Sequence, residues 1–97
     1  MTTTRKTITT PIINLNGDRA ETLLEQINAV HEAIRSLSQA IGPASPHGRN
    51  YQCNPEGSYE AARRQYQEHC DALRKMDQFY TDQYLEITDQ QRSSGRR

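Results

Sequence analysis

Between Ala20 and Ile41 the chain places an apolar residue every three or four positions without a break: Ala20, Leu23, Ile27, Val30, Ile34, Leu37 and Ile41. Alternating steps of three and four keep successive side chains on one face of a helix. Three unbroken repeats mark a seam that packs on another helix. The pattern predicts a helix over residues 18–41. Asp18 stands where an N-cap is needed, and Glu21 follows three residues later, at the spacing of a capping box. Gly42-Pro43 closes the segment: the glycine is expected in a left-handed C-cap, and the proline forbids continuation.

A second seam runs through Ala62, Tyr66, His69, Leu73, Met76, Tyr80, Gln83 and Ile87, widened by Cys70, Phe79 and Tyr84. Its helix is expected to begin near Asn54, where Pro55 and Glu56 suit a first turn, or at Ser58. It is expected to fade at residues 89–91. Glu60–Arg64 and Asp71–Lys75 are i,i+4 pairs that support it, and Asp82–Glu86 opposes it slightly. Residues 42–58 hold three of the four prolines and three of the five glycines. This connection is longer than the roughly two to eight residues usual between bundle helices, and loops of that length tend to be functional or disordered.

Ahead of the first helix, residues 1–10 are Thr-rich and expected to be flexible at the start. Residues 7–15 are rich in β-branched side chains but interrupted by Pro11, which limits any strand to an edge or a short arm. The predicted fold is therefore all-α: an antiparallel two-helix hairpin over residues 18–91, an N-terminal extended arm at 1–17 and a basic flexible tail at 92–97.

Composition bears on how such a hairpin is stabilised. Leu, Ile, Val and Phe together supply only 15 of 97 residues, while twelve basic and twelve acidic side chains cancel. A thin core without excess charge points to a chain that folds by associating through its apolar seams, as a dimer or larger homo-oligomer. The second helix, at about 1.5 Å per residue, is longer than the first by two to three turns. The overhang is expected to carry Phe79, Tyr80, Tyr84, Leu85 and Ile87, covered by the arm, by a neighbour, or by an arm crossing to a neighbour.

Several classes drop out. No run of 18 apolar residues exists, so no membrane span is expected. No apolar h-region follows Arg5 and Lys6, so no secretory signal is expected and Cys53 and Cys70 read as reduced cytosolic thiols. His31, His47 and His69 stand at no metal-ligand interval, and neither metal nor cofactor is expected. The bases gather at the two ends of the chain rather than on one helical face, which argues against nucleic acid. No nucleophile elbow, phosphate-binding glycine loop or paired-carboxylate site is present, so the chain reads as a non-enzyme.

The chemistry that remains is in the connection. His47, Arg49, Asn50 and Tyr51 follow one another closely, with Gly48 among them, and Tyr59, Arg63 and Arg64 lie near the start of the second helix. A guanidinium fork, an imidazole donor, a phenol and a helix N-terminus together suit a phosphate or carboxylate ligand. Alternatively, Glu56 and Glu60 neutralise the arginines and the cluster only braces the loop. His69 and His31 read as hydrogen-bonded or register-setting residues of the seams.

The segments Ile13-Asn14-Leu15-Asn16-Gly17, Pro46-His47-Gly48-Arg49-Asn50-Tyr51 and Pro55-Glu56-Gly57, spread over residues 12–90, resemble a loose group of short phage-encoded helical-hairpin proteins. That group includes oligomeric sponges that sequester nucleotide signals of bacterial defence, proteins that inhibit a host protein, and virion components. The resemblance implies a phage protein in the cytoplasm of a bacterial host. The leading expectation is capture of a small phosphate-bearing nucleotide by a homo-oligomer. The alternative is a protein–protein module whose arm or overhanging helix docks on a host or virion protein.

Overall fold

In the computed structural model, which describes residues 8–94, the chain is two antiparallel helices and an extended arm. Helix α1 spans Ala20–Ile41, a single 3₁₀ turn spans Gly48–Tyr51, and helix α2 spans Ser58–Ser94. No strand occurs among the described residues. The expected flexibility of the Thr-rich start, and the charges at Arg5, Lys6, Arg96 and Arg97, fall outside those residues.

The α1 seam packs as the heptad spacing predicts along one edge. Ala20, Ile27 and Ile34, seven residues apart, are its buried positions. Its ends are built differently from the expectation. Arg19, in extended conformation, is the N-cap and makes no side-chain capping bond, while Asp18 is exposed. The capping box does not form because the helix starts two residues late. Gly42 is right-handed helical, with φ of −53°. The left-handed glycine is Gly57, with φ of +90°, one residue before α2. The Ile41 carbonyl at the end of α1 accepts both from the Ala44 N–H of the loop and from the Tyr66 hydroxyl of α2, each at 3.0 Å.

Helix α2 turns a different edge toward α1 than its apolar spacing predicts. His69 and Met76 are exposed, whereas Cys70 is half-buried. Asp77 lies across from α1, its Oδ1 3.4 Å from His31 Nδ1. The facing positions are therefore 66, 70, 73, 77, 80, 84 and 87, an equally regular alternation that includes a thiol and a carboxylate. His69 is no core residue, and His31 is the seam histidine; its Nε2 is buried without a hydrogen-bond partner among the described residues.

Helix lengths alone misplace the overhang. Ala20 and Ile27 form the core cluster with Ile87, against which Ile13, Leu23, Leu24, Tyr80 and Tyr84 pack. The N-terminus of α1 thus reaches Ile87, which is 1% exposed. The unpaired part of α2 is split between its two ends, and the loop lies against the first of them.

Within the single chain, the arm lies along α2. The Gln90 amide clamps it, with Nε2 donating to the Pro11 carbonyl at 2.8 Å and Oε1 accepting from the Ile13 N–H at 2.9 Å. Gln83 Nε2 donates to the Thr9 carbonyl at 3.3 Å, and Thr10 Oγ1 donates to Glu86 Oε1. Positions 83, 86 and 90 share one face of α2. Gln83, assigned to the apolar seam from spacing, belongs to this polar track. Asp82, 3% exposed, accepts from Gln78 Nε2 at 2.9 Å. Asp71 pairs with Arg74 and accepts from Gln67 rather than meeting Lys75. No ion pair joins Glu60 to Arg64 among the described residues.

Candidate functional site

The residues expected to bind a ligand gather around the N-terminal end of α2, and the loop gets there by local backbone bonding. Pro43 and Pro46 keep the chain from continuing α1. Gly48–Tyr51 then winds one 3₁₀ turn, opened by the Asn50 N–H bonding the His47 carbonyl at 3.0 Å. The Asn54 N–H bonds the Tyr51 carbonyl, and the Ser58 N–H bonds the Pro55 carbonyl, both at 3.1 Å. Gly57 then makes the left-handed step that launches the helix, a conformation open to glycine at little cost.

Three of the seven expected residues form one cluster. The rings of Tyr51 and Tyr59 lie 6.0 Å apart at 43°, a tilted pair. The guanidinium carbon of Arg63 sits 5.7 Å from the centre of the Tyr59 ring. Gly48 closes against the same ring: a Cβ there would lie 3.7 Å from Tyr59 Cε2, an ordinary contact. Tyr59 is thus held by the turn and in turn orients Arg63, an arrangement worth about 0.5–1 kcal/mol at an exposed position.

Arg63 and Arg64 also line a hollow of about 580 Å³ with Ser45, Pro46, Glu60, Tyr66 and Gln67. His47, Arg49 and Asn50 do not line it; they are exposed on the neighbouring turn. The expected site is therefore two adjoining surfaces, an aromatic–guanidinium cluster with its hollow and an exposed turn bearing His47, Arg49 and Asn50. Ser45, Pro46, Glu60 and Gln67 were not expected in it. Gln67 stands one turn after Arg63 and Arg64, so helical spacing carried a usable signal for it; Ser45 and Pro46 are brought there by the loop path, which carries none.

The bracing alternative requires Glu56 or Glu60 to pair with the arginines. Among the described residues the ion pairs join His31 to Asp77, Arg74 to Asp71 and Arg92 to Asp89. None involves Arg49, Arg63 or Arg64. Glu60 shares the hollow with both arginines and makes no ion pair with either among those residues. Tyr66 also lines the hollow; burial raises its phenol above the ordinary 10.0, and the Cys70 thiol adds to this as a hydrogen-bond partner and as a neighbouring charge. The Tyr66 hydroxyl is committed to the Ile41 carbonyl at 3.0 Å.

No group of three or more metal-ligating side chains occurs among the described residues. Nor is any helix among them long and apolar enough to cross a membrane. No family model, no curated protein and no solved structure matches the chain.

Proposed function

We propose that this chain is a non-catalytic, self-associating phage protein that captures a small phosphate-bearing nucleotide and so sequesters a defence signal in the cytoplasm of a bacterial host. The observation that carries this reading is the Tyr51–Tyr59–Arg63 cluster beside a hollow shared by Arg63 and Arg64, with no acid paired to either guanidinium among the described residues. Exposed guanidinium forks match phosphate oxygens two at a time. Tyrosine rings offer a face to a base or sugar. Arg49 and His47 on the adjoining turn add donors for a second phosphate, with Asn50 beside them. The phage origin and the host cytoplasm rest on the sequence resemblance alone.

The experiment is a thermal-shift screen of the purified full chain against cyclic and linear nucleotides and inorganic phosphate. A nucleotide at a hundred times its Kd is expected to add about 2.7 kcal/mol of stability. Phosphate alone, lacking the base, is expected to give much less.

The second reading, a protein–protein module, is favoured by one observation. Ile12 and Leu15 on the arm are 79% and 103% exposed, so the arm presents two aliphatic side chains that its contacts with α2 leave uncovered. A stabilising host or virion protein in place of any nucleotide would mark that reading.

A further inference from the structure

The hairpin exposes far more surface than its mass requires. Its accessible area is 7807 Å², against about 5,700 Å² for a compact monomer of 11.1 kDa. The cause is its shape, 67 × 29 × 19 Å with a radius of gyration of 19.4 Å. A compact chain of this length has a radius of gyration of about 12.5 Å. Buried apolar residues among those described number four: Ala20, Ile27, Ile34 and Ile87. The excess, roughly 2,100 Å², exceeds the roughly 800 Å² each partner gives up at a standard interface.

The seams say where that area belongs. On α1, positions 20, 27 and 34 are spent on α2, which leaves Leu23, Val30 and Leu37 along one flank. Leu23 and Val30 line a groove of about 250 Å³ with Tyr80 and Gln83 on the opposite wall and Pro11 of the arm at its border. By helical spacing Leu37 extends that edge of α1, while Met76 and Phe79 extend the facing edge of α2. Leu37, Met76 and Phe79 are 48%, 45% and 36% exposed. Positions 23, 26, 30, 33, 37 and 40 of α1 carry no Asp, Glu, Lys or Arg, and neither do 69, 72, 76 and 79 of α2; Gln83, next on that edge, is taken by the Thr9 carbonyl of the arm. In a chain that is 25% charged, the strip is uncharged for some 26 Å along α1, and charges (Asp71, Arg74, Lys75 and Asp82) gather only on the far side of Phe79. A second strip of the same kind fits it, and only another copy brings one by construction.

We infer that a second copy of this chain packs its Leu23–Val30–Leu37 and Met76–Phe79 strip on the same strip of the first about a twofold axis, closing a four-helix bundle. Seams read as one interface per helix then serve two: one edge pairs α1 with α2, and the other pairs the hairpins. The inference rests on the assembly half of the proposed function. A monomer would leave nucleotide capture at the N-terminal end of α2 standing, so failure of one is distinguishable from failure of the other.

The test is the solution mass of the full chain by sedimentation equilibrium, without ligand, for the wild type and three variants. The wild type is expected at twice 11.1 kDa or a multiple of it, with a melting temperature that rises with protein concentration. Leu37→Glu and Met76→Lys each place a charge in the strip and are expected to raise the dissociation constant roughly a hundredfold or more. Leu85→Glu, at an exposed position on another face, is expected to keep the wild-type mass. If the strip variants are too unstable to purify while Leu85→Glu is not, positions exposed in the single hairpin are needed for folding, as a partner on the strip requires. A wild type of 11.1 kDa at about 100 µM, strip variants of unchanged mass, or dissociation by Leu85→Glu instead would each overturn the inference.

Discussion

The Tyr66 hydroxyl donates a 3.0 Å hydrogen bond to the carbonyl of Ile41, the last residue of α1. Carbonyls at a helix C-terminus have no partner inside the helix, and Gly42, right-handed here, supplies no left-handed cap. A side chain of α2 shares that work with the Ala44 N–H, which bonds the same carbonyl at 3.0 Å. The Tyr66 bond sets where α1 stops along α2, and with it how much of α2 is left to the loop and the hollow beside Arg63 and Arg64.

Replacing Tyr66 with Phe is therefore expected to lower the melting temperature and speed amide exchange over residues 41–45. It also has a pH signature. The folded chain holds the Tyr66 proton more tightly than the unfolded chain, because burial, then the Cys70 thiol, raises the phenol above 10.0. That contribution is fully present below pH 10.0 and is lost as the pH rises through the folded value. Wild type should lose stability on the alkaline side more steeply than Tyr66→Phe in parallel melts; parallel curves would show that Tyr66 ionises as it does unfolded.

Ile87 is the most buried apolar side chain in the hairpin and Leu85, two residues earlier, is 44% exposed. Ile87→Ala is expected to cost about 2–5 kcal/mol, a large share of the total for a domain of this size. Leu85→Ala should stay within roughly 0.5 kcal/mol. Urea unfolding of both variants checks which face of α2 meets α1, since rotating α2 by about half a turn about its own axis would exchange the two results.

The arm hangs on Gln90, whose one amide serves both the Pro11 carbonyl and the Ile13 N–H. Gln90→Ala should release it, making residues 8–17 the first site of limited proteolysis. Deleting residues 1–15 should uncover the Ile87 end of the core and increase binding of a hydrophobic dye. An arm equally protected in Gln90→Ala would mean that Gln83 and Glu86 suffice to hold it.

The helices could be read from the sequence because their information is local. The α1 seam and the Gly42-Pro43 stop predict Ile41 as the last helical residue, and the structure ends α1 there. The choice of edge on α2 was not legible. Tyr66, Leu73, Tyr80 and Ile87 belong equally to the seam with His69 and Met76 and to the seam with Cys70 and Asp77. Apolar spacing favours the first. The hairpin uses the second, which sets Asp77 beside His31 of α1, a polar pairing that apolar spacing does not register. The start of α1 was missed because an Asp at capping spacing competes with an arm that holds residues 14–17 in a turn, with the Gly17 N–H on the Asn14 carbonyl. In the candidate site, the grouping of Tyr59, Arg63 and Arg64 on α2 was legible from spacing. Which loop residues reach it was not, since the path of residues 42–57 depends on backbone bonds that leave no periodic trace.

The two glycines that flank the loop separate in a simple comparison. Gly57, at φ of +90°, has nothing within 4 Å of an added Cβ. Gly57→Ala thus isolates backbone strain, expected to cost about 1–3 kcal/mol. Gly42→Ala, at φ of −53°, is expected to be neutral or to stabilise by up to about 1 kcal/mol. Thermal denaturation of the pair locates the conformational pivot of the loop; equal effects would place it elsewhere.

The most direct measurement of nucleotide capture is calorimetric titration of the full chain and of Arg63→Ala with the nucleotide that gives the largest thermal shift, alongside the melting temperature of each unliganded protein. Arg63 rests on Tyr59 and makes no ion pair among the described residues, so its loss should be felt by a phosphate rather than by the fold. Affinity is expected to fall about ten- to a hundredfold, the loss of one charge-assisted bond of about 1.5–3 kcal/mol, with the melting temperature nearly unchanged. Arg49→Ala, on the adjoining turn, should fall in the same direction. A wild-type chain that binds no nucleotide, or an Arg63→Ala variant that melts lower while binding as tightly as wild type, would contradict the account and leave the arginines as braces of the loop.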